Sequence, residues 1–220
     1  MSETSGKFIT FEGIEGCGKS TQHTLLCDFL SQRQIEVVKT REPGGTEIGG
    51  EIRKILLHPK HHIMVPACET LLYLADRAQH VAQKVRPALK RGDWVLSDRY
   101  HDSTRAYQGA ARGMPRESLN MLYEVATSGL KPDLTLLLDL EPEQGLARAL
   151  ARNEDHNLVD TEGRFEAESL PFHRAVRNEF LAQAAEEPTR FAVIDAALSP
   201  EAVFDQVQAV LARREWYAHV

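Results

Sequence analysis

Gly13-Ile14-Glu15-Gly16-Cys17-Gly18-Lys19-Ser20 has the spacing G-x-x-x-x-G-K-S of a phosphate-binding loop. The residues on either side supply the context that this motif needs. Residues 7–12, Lys-Phe-Ile-Thr-Phe-Glu, read as a strand, and Leu25, Leu26, Phe29 and Leu30 then recur at the spacing of one helix face. The residue types follow from the chemistry. Glycines let successive backbone N–H groups turn towards phosphate oxygens without a Cβ in the way, and the loop opens onto a helix N-terminus that favours anions. Lys19 is expected to reach the β- and γ-phosphates and the Ser20 hydroxyl to ligate Mg²⁺. Gly13, Ile14, Glu15, Gly16, Cys17, Gly18 and Thr21 complete the expected nucleotide contact. The stretch predicts binding of a nucleoside triphosphate.

Further along the chain, strands and helices alternate. Residues 36–40, 93–98, 134–139 and 191–195 read as four more strands, and the 134–139 run, Leu-Thr-Leu-Leu-Leu-Asp, is apolar throughout as a central parallel strand should be. Helical periodicity covers 47–57, 67–91, 142–152, a stretch from about 164, and 199–213. Neither a linker nor an internal repeat interrupts the order. It predicts one α/β domain over 1–220, with a five-stranded parallel sheet and helices on both faces. Residues 153–163 are polar and aperiodic, the pattern of a mobile flap, so 148–164 is expected to act as a lid over the site. The 67–91 helix is apolar on more than one side, which predicts a covering partner besides the sheet.

Composition narrows the class. At 42% hydrophobic and 26% charged over 220 residues, the chain has enough apolar residues for a full core. Its net charge of −6, without a basic run, argues against nucleic acid as a partner. No apolar run approaches the ~20 residues of a membrane span, and residues 1–6 lack the form of a signal peptide. Cys17, Cys27 and Cys68 form no framework, so reduced thiols and a cytoplasmic setting are expected. His58, His61 and His62 lack the spacing of a metal site and read as a solvated loop.

The remaining candidates lie at strand ends, where open α/β sheets bind their ligands. Arg41 and Glu42 open a turn, Arg41-Glu42-Pro43-Gly44-Gly45-Thr46, after the second strand. Asp98 and Asp139 end the third and fourth strands, and either could hold the Mg²⁺ shell. Asp98 is preferred because Arg99 adjoins it. Tyr73 and Arg77 share a helix face at i, i+4, as do Arg148 and Arg152. An Asn-Lys-x-Asp guanine reader is absent from the sequence, which argues against a GTPase switch.

Together the phosphate loop, Arg41-Glu42-Pro43-Gly44-Gly45-Thr46, Leu72-Tyr73-Leu74-Ala75-Asp76-Arg77, Asp98-Arg99-Tyr100 and Ala106-Tyr107-Gln108-Gly109 closely resemble bacterial thymidylate kinase. The resemblance runs from Phe8 to about Val210. It implies the P-loop kinase fold, transfer of the γ-phosphoryl of ATP to dTMP with Mg²⁺, and a homodimer. It also implies that Tyr73 lies under the thymine ring, Arg77 reaches a thymine carbonyl, Thr104 contacts the base and Tyr107 packs on the deoxyribose, with Gln108 beside it. Arg99 takes the place of the arginine that grips phosphate between donor and acceptor. Glu15 stands where another branch of the family carries a catalytic arginine, which leaves that role to Arg152 at the flap, with Arg148 on the ATP side. Two departures accompany these matches. The flap is longer and more acidic than is usual, with Gly163 where aspartate is common, and Tyr73 replaces a phenylalanine. The role of Arg164 is therefore left open.

Overall fold

The computed structural model describes residues 6–155 and 163–216, apart from the side chains of 153–155. Five strands form one parallel sheet: β1 (Phe8–Glu12), β2 (Val37–Arg41), β3 (Trp94–Asp98), β4 (Leu134–Asp139) and β5 (Phe191–Asp195), in the order β2-β3-β1-β4-β5. Phe8 lies opposite Val95 and Ile9 opposite both Leu96 and Leu134. Because side chains alternate, this register gives the sheet two buried faces. Phe8 and Val95 pack with Val81, Val85, Ala88 and Tyr123 on one face, while Ile9, Phe11 and Leu96 pack with Leu26 and Leu30 on the other. From β1 the chain reaches β2 and β3 on one side and β4 and β5 on the other, so the crevice opens at the carboxyl end of β1.

Helices fill both faces: α1 (Lys19–Ser31), α2 (Glu47–Leu57), α3 (Pro66–His80), α4 (Arg86–Arg91), α5 (His101–Thr104), α6 (Arg116–Thr127), α7 (Pro142–Asp155), α8 (Leu170–Glu186) and α9 (Pro200–Arg213). The expected 67–91 helix is real but not uniform. A π turn, Val81–Val85, joins α3 to α4 just before Pro87, which has no N–H to give to the ladder. A second π turn, Arg105–Ala111, extends α5 and carries Tyr107 and Gln108. Periodicity placed no helix there, nor at α6. The helix expected from about 164 starts only at Leu170, because Pro171 suits a first turn and Ser169 precedes it in extended conformation. Of the flap expected over 153–163, residues 153–155 instead continue α7, and 156–162 lie outside the described residues. His58 and His61 spend a ring nitrogen each on backbone groups of Lys60 and Ile55.

One close approach fixes the roof of the crevice. Gly16 sits at φ +69°, and a Cβ there would stand 2.0 Å from the carbonyl oxygen of Gly145 on α7. In turn, a Cβ on Gly145 would stand 2.5 Å from the carbonyl oxygen of Glu15. The helix leading into the flap is thus laid directly on the phosphate loop. An open helical glycine gains about 1 kcal/mol on replacement by alanine. Gly145→Ala should do the reverse and destabilise by about 1–3 kcal/mol, read as a Tm several degrees lower in thermal unfolding.

Candidate active site

The phosphate loop is organised around its lysine. Lys19 Nζ donates to the carbonyls of Gly13 (2.9 Å) and Ile14 (2.7 Å) and lies 3.4 Å from Cys17 Sγ. The amine is therefore held inside the ring of backbone that it is expected to serve. Ser20 follows on the first turn of α1, and its hydroxyl donates to Asp98 Oδ2 at 3.1 Å. Two hard oxygen donors stand side by side, the chemistry that Mg²⁺ prefers. Asp139 is otherwise committed. Arg177 binds it bidentately, Nε to Oδ1 at 2.7 Å and Nη2 to Oδ2 at 3.0 Å.

Arg99 leaves β3 with φ +69°, a conformation uncommon for a residue with a Cβ and typical of functional turns. Its guanidinium donates to Gly13 O (3.1 Å), Ser103 Oγ (3.0 Å), Glu15 Oε1 (3.1 Å) and the Tyr107 hydroxyl (3.0 Å). Tyr107 in turn donates to Glu15 Oε1 at 2.6 Å. Burial alone would push the Glu15 carboxyl up, but His173, Arg99 and Lys19 outweigh it and hold the group well below the usual carboxylate range. Burial pushes the Tyr107 phenol well up, which keeps its proton available for that hydrogen bond.

Arg77 is fully buried, and each of its nitrogens has a partner: Nε to Glu42 Oε2 (2.7 Å), Nη1 to Thr104 Oγ1 (2.8 Å) and Nη2 to Tyr100 O (3.0 Å). His80 holds the other oxygen of Glu42 at 2.7 Å. Gln108 is also buried and donates to Glu69 Oε1 at 2.7 Å. Tyr73 lies tilted by 54° to Phe165, 6.5 Å between ring centres, and Tyr107 meets the same ring edge-on at 5.5 Å.

These groups share one cavity of about 630 Å³. Its wall takes in the loop from Glu15 to Thr21, Asp98 and Arg99, together with Arg41, Tyr73, Arg77, Thr104, Tyr107, Gln108, Arg148 and Arg152. Gly13 and Ile14 stand behind that wall, where their carbonyls hold Lys19. Arg148 donates to Ala196 O at 3.1 Å, and Arg152 pairs with Glu166 at 3.3 Å while half exposed. Arg164 is elsewhere. It is buried, donates to Leu56 O at 2.8 Å and pairs with Glu69, outside the cavity wall. Sequence reasoning missed Arg53, Ser103, Phe165 and Glu166, which also line the cavity, and the buried acid Glu69. Glu42, a candidate through its place beside Arg41 in the strand-end turn, is buried and lines the cavity.

A strand-ended phosphate loop facing an arginine- and tyrosine-lined cavity defines a P-loop nucleotide kinase. Residues 11–207 match the family model described as Thymidylate kinase. The chain is 53% identical over 206 residues to the thymidylate kinase of Solidesulfovibrio magneticus, covering 94% of this chain and 99% of that one. It is 55% identical over 205 residues to that of Nitratidesulfovibrio vulgaris, covering 93% and 92%. Among solved structures, the thymidylate kinase of Ehrlichia chaffeensis superposes with a TM-score of 0.76 at 30% identity, over 94% of this chain and 99% of that one. The chain belongs to the thymidylate kinase family.

The two arginines flanking the flap differ in what they do for the fold. Glu69→Ala would leave Arg164 buried without its counter-charge, at a cost of about 3–5 kcal/mol. Arg152→Ala removes a pair whose arginine is half exposed, and should cost only about 1 kcal/mol. Denaturant unfolding of both variants should show that separation.

Proposed function

We infer that this chain phosphorylates dTMP to dTDP, with ATP as donor and Mg²⁺ as cofactor, in the cytoplasm and as a homodimer. The observation that carries the reading is the single cavity in which the phosphate loop faces the Tyr107–Glu15–Arg99 cluster. Lys19 and the loop N–H groups bind the β- and γ-phosphates of ATP, and Arg148 steadies the donor from α7. Ser20 and Asp98 hold the metal, a role that their 3.1 Å contact supports. Bound there, Mg²⁺ supplies charge neutralisation at the phosphate oxygens.

On the acceptor side, Tyr73 stacks on thymine, Arg77, Thr104 and Gln108 read the base edge, and Tyr107 packs on the sugar, where a 2′-hydroxyl would crowd it. Arg41 and Arg99 attract the acceptor phosphate, and Glu15 fixes the acceptor-side geometry. No general base is required, because the attacking phosphate oxygen is already ionised. Catalysis is positioning plus neutralisation of the charge spread over the transferred group. Glu15 in the loop supplies no cation for that charge, and Arg152, half exposed at the cavity wall, is the arginine assigned to supply it. The partly uncovered α3, on which Leu71 is 55% exposed, supports a subunit contact.

A panel of dTMP, dUMP, dCMP and AMP with ATP and Mg²⁺ tests the activity, and dTMP should be turned over well ahead of the others. Turnover of AMP or dCMP equal to that of dTMP would contradict the reading. Arg152→Ala should lower kcat far more than it raises KM for either substrate, the pattern of a contact made in the transition state. Arginine fingers are worth about 10³–10⁵ in rate, and this one should fall at or below the lower end. Collapse of kcat in Arg164→Ala with Arg152→Ala unaffected would move the role across the flap.

A further inference from the structure

The two oxygens of Glu15 have unlike surroundings. Oε1 accepts from Tyr107 and Arg99 at 2.6 and 3.1 Å. Oε2 is buried and has no hydrogen bond among the described residues. Facing it at 3.2 Å is Nδ1 of His173, on the first turn of α8. His173 is fully buried, and neither of its ring nitrogens has a hydrogen-bond partner among the described residues. Its neighbours on that helix, Phe172, Val176 and Phe180, belong to the core, and Phe172 meets the Tyr107 ring at 6.1 Å between centres. Two buried polar atoms, otherwise unpaired, therefore face each other where α8 touches the phosphate loop. Burying such groups is costly unless each satisfies the other.

We propose that His173 is a positioning residue for Glu15, its Nδ1–H held against Oε2 so that Oε1 stays on Tyr107 and Arg99. This rests on the reading of the cavity as the acceptor site for dTMP. A carboxylate tied at one oxygen only can rotate, and two cations lie within its reach. If Glu15 turned both oxygens to Arg99, or swung onto Lys19, it would neutralise a group needed by the phosphates and release the Tyr107 hydroxyl. His173 prevents both by occupying the second oxygen. The assigned tautomer carries the proton on Nδ1, because that nitrogen is the one facing the carboxylate. Since Oε1 and Tyr107 serve the sugar side, the effect belongs to the acceptor nucleotide rather than to ATP.

The test is steady-state kinetics of His173→Leu, His173→Asn and His173→Gln with dTMP, with its ribose analogue and with ATP. Asn offers an N–H near the Nδ1 position, whereas Gln offers one near Nε2. His173→Leu should raise KM for dTMP on the order of tenfold, the loss expected when a buried carboxylate oxygen loses the one polar atom that faces it. It should narrow the preference for dTMP over the ribose analogue and leave KM for ATP within about twofold. His173→Asn should restore both acceptor properties and His173→Gln should not. In a Glu15→Gln background the leucine change should add nothing further. An unchanged KM and preference in His173→Leu, or equal impairment by Asn and Gln, would overturn the proposal. If the leucine variant does not fold, the Asn–Gln comparison decides alone. Turnover of dTMP by the unaltered enzyme tests the acceptor-site reading itself, and the variants measured against it test only His173.

Discussion

Arg99 ties together three parts of the chain. Its own backbone leaves the end of β3 in a left-handed conformation and donates to Phe11 O at 2.9 Å. Its guanidinium then spans the phosphate loop at Gly13 and Glu15, the α5 turn at Ser103 and the π turn at Tyr107. The conformation costs of order 1 kcal/mol, and four hydrogen bonds to a charged donor offset it. Burial works against this charge, but Tyr107, Glu15, Glu12 and Asp98 raise the Arg99 pKa well above its ordinary value. The result is a cation fixed in advance between the phosphate loop and the Tyr107 side of the cavity. Fixed charge of this kind avoids reorganisation during phosphoryl transfer.

Around that junction, three buried glutamates do structural work that their burial alone would forbid. Glu12 accepts from the Tyr100 and Ser103 backbone N–H groups and from the Ser103 hydroxyl at 2.5 Å, which seats α5 beside Arg99. Burial, with Asp102 nearby, pushes its carboxyl up to about 8. Glu42 orients Arg77 and His80, so the end of β2 and the α3 helix share one side of the pocket. Glu69 joins Gln108, on the π turn, to Arg164, at the far end of the flap. Each acid fixes a side chain that lines the cavity. That wall is therefore assembled largely by hydrogen bonds within the protein.

The phosphate loop and all five strands were legible because their signals are local. Glycine spacing, a following lysine and unbroken apolar runs are properties of neighbours in the chain. The two π turns were not legible, since Arg105–Ala111 carries the same residue types as any helix and differs only in how its ladder closes. Arg164 and Glu69 were not legible for another reason. They stand 95 residues apart and each reads as solvated by itself, and only the fold brings them into one buried pair. Phe165 escaped notice because a phenylalanine at the start of an apolar helix pattern looks like core. It is core, but it also faces the cavity. The resemblance supplied what periodicity could not, the likeness of Tyr73, Arg77 and Tyr107 to residues around a base and a sugar.

The central claim is that the phosphate loop organises the acceptor side through Glu15, acting on Tyr107 across 2.6 Å. Calorimetric binding of dTMP to the unaltered enzyme, Glu15→Gln, Tyr107→Phe and the double variant measures that coupling without turnover. Residues acting as one unit should be non-additive, with an interaction energy above about 0.5 kcal/mol. Losses that simply add would show that Glu15 and Tyr107 act separately, and would contradict the account.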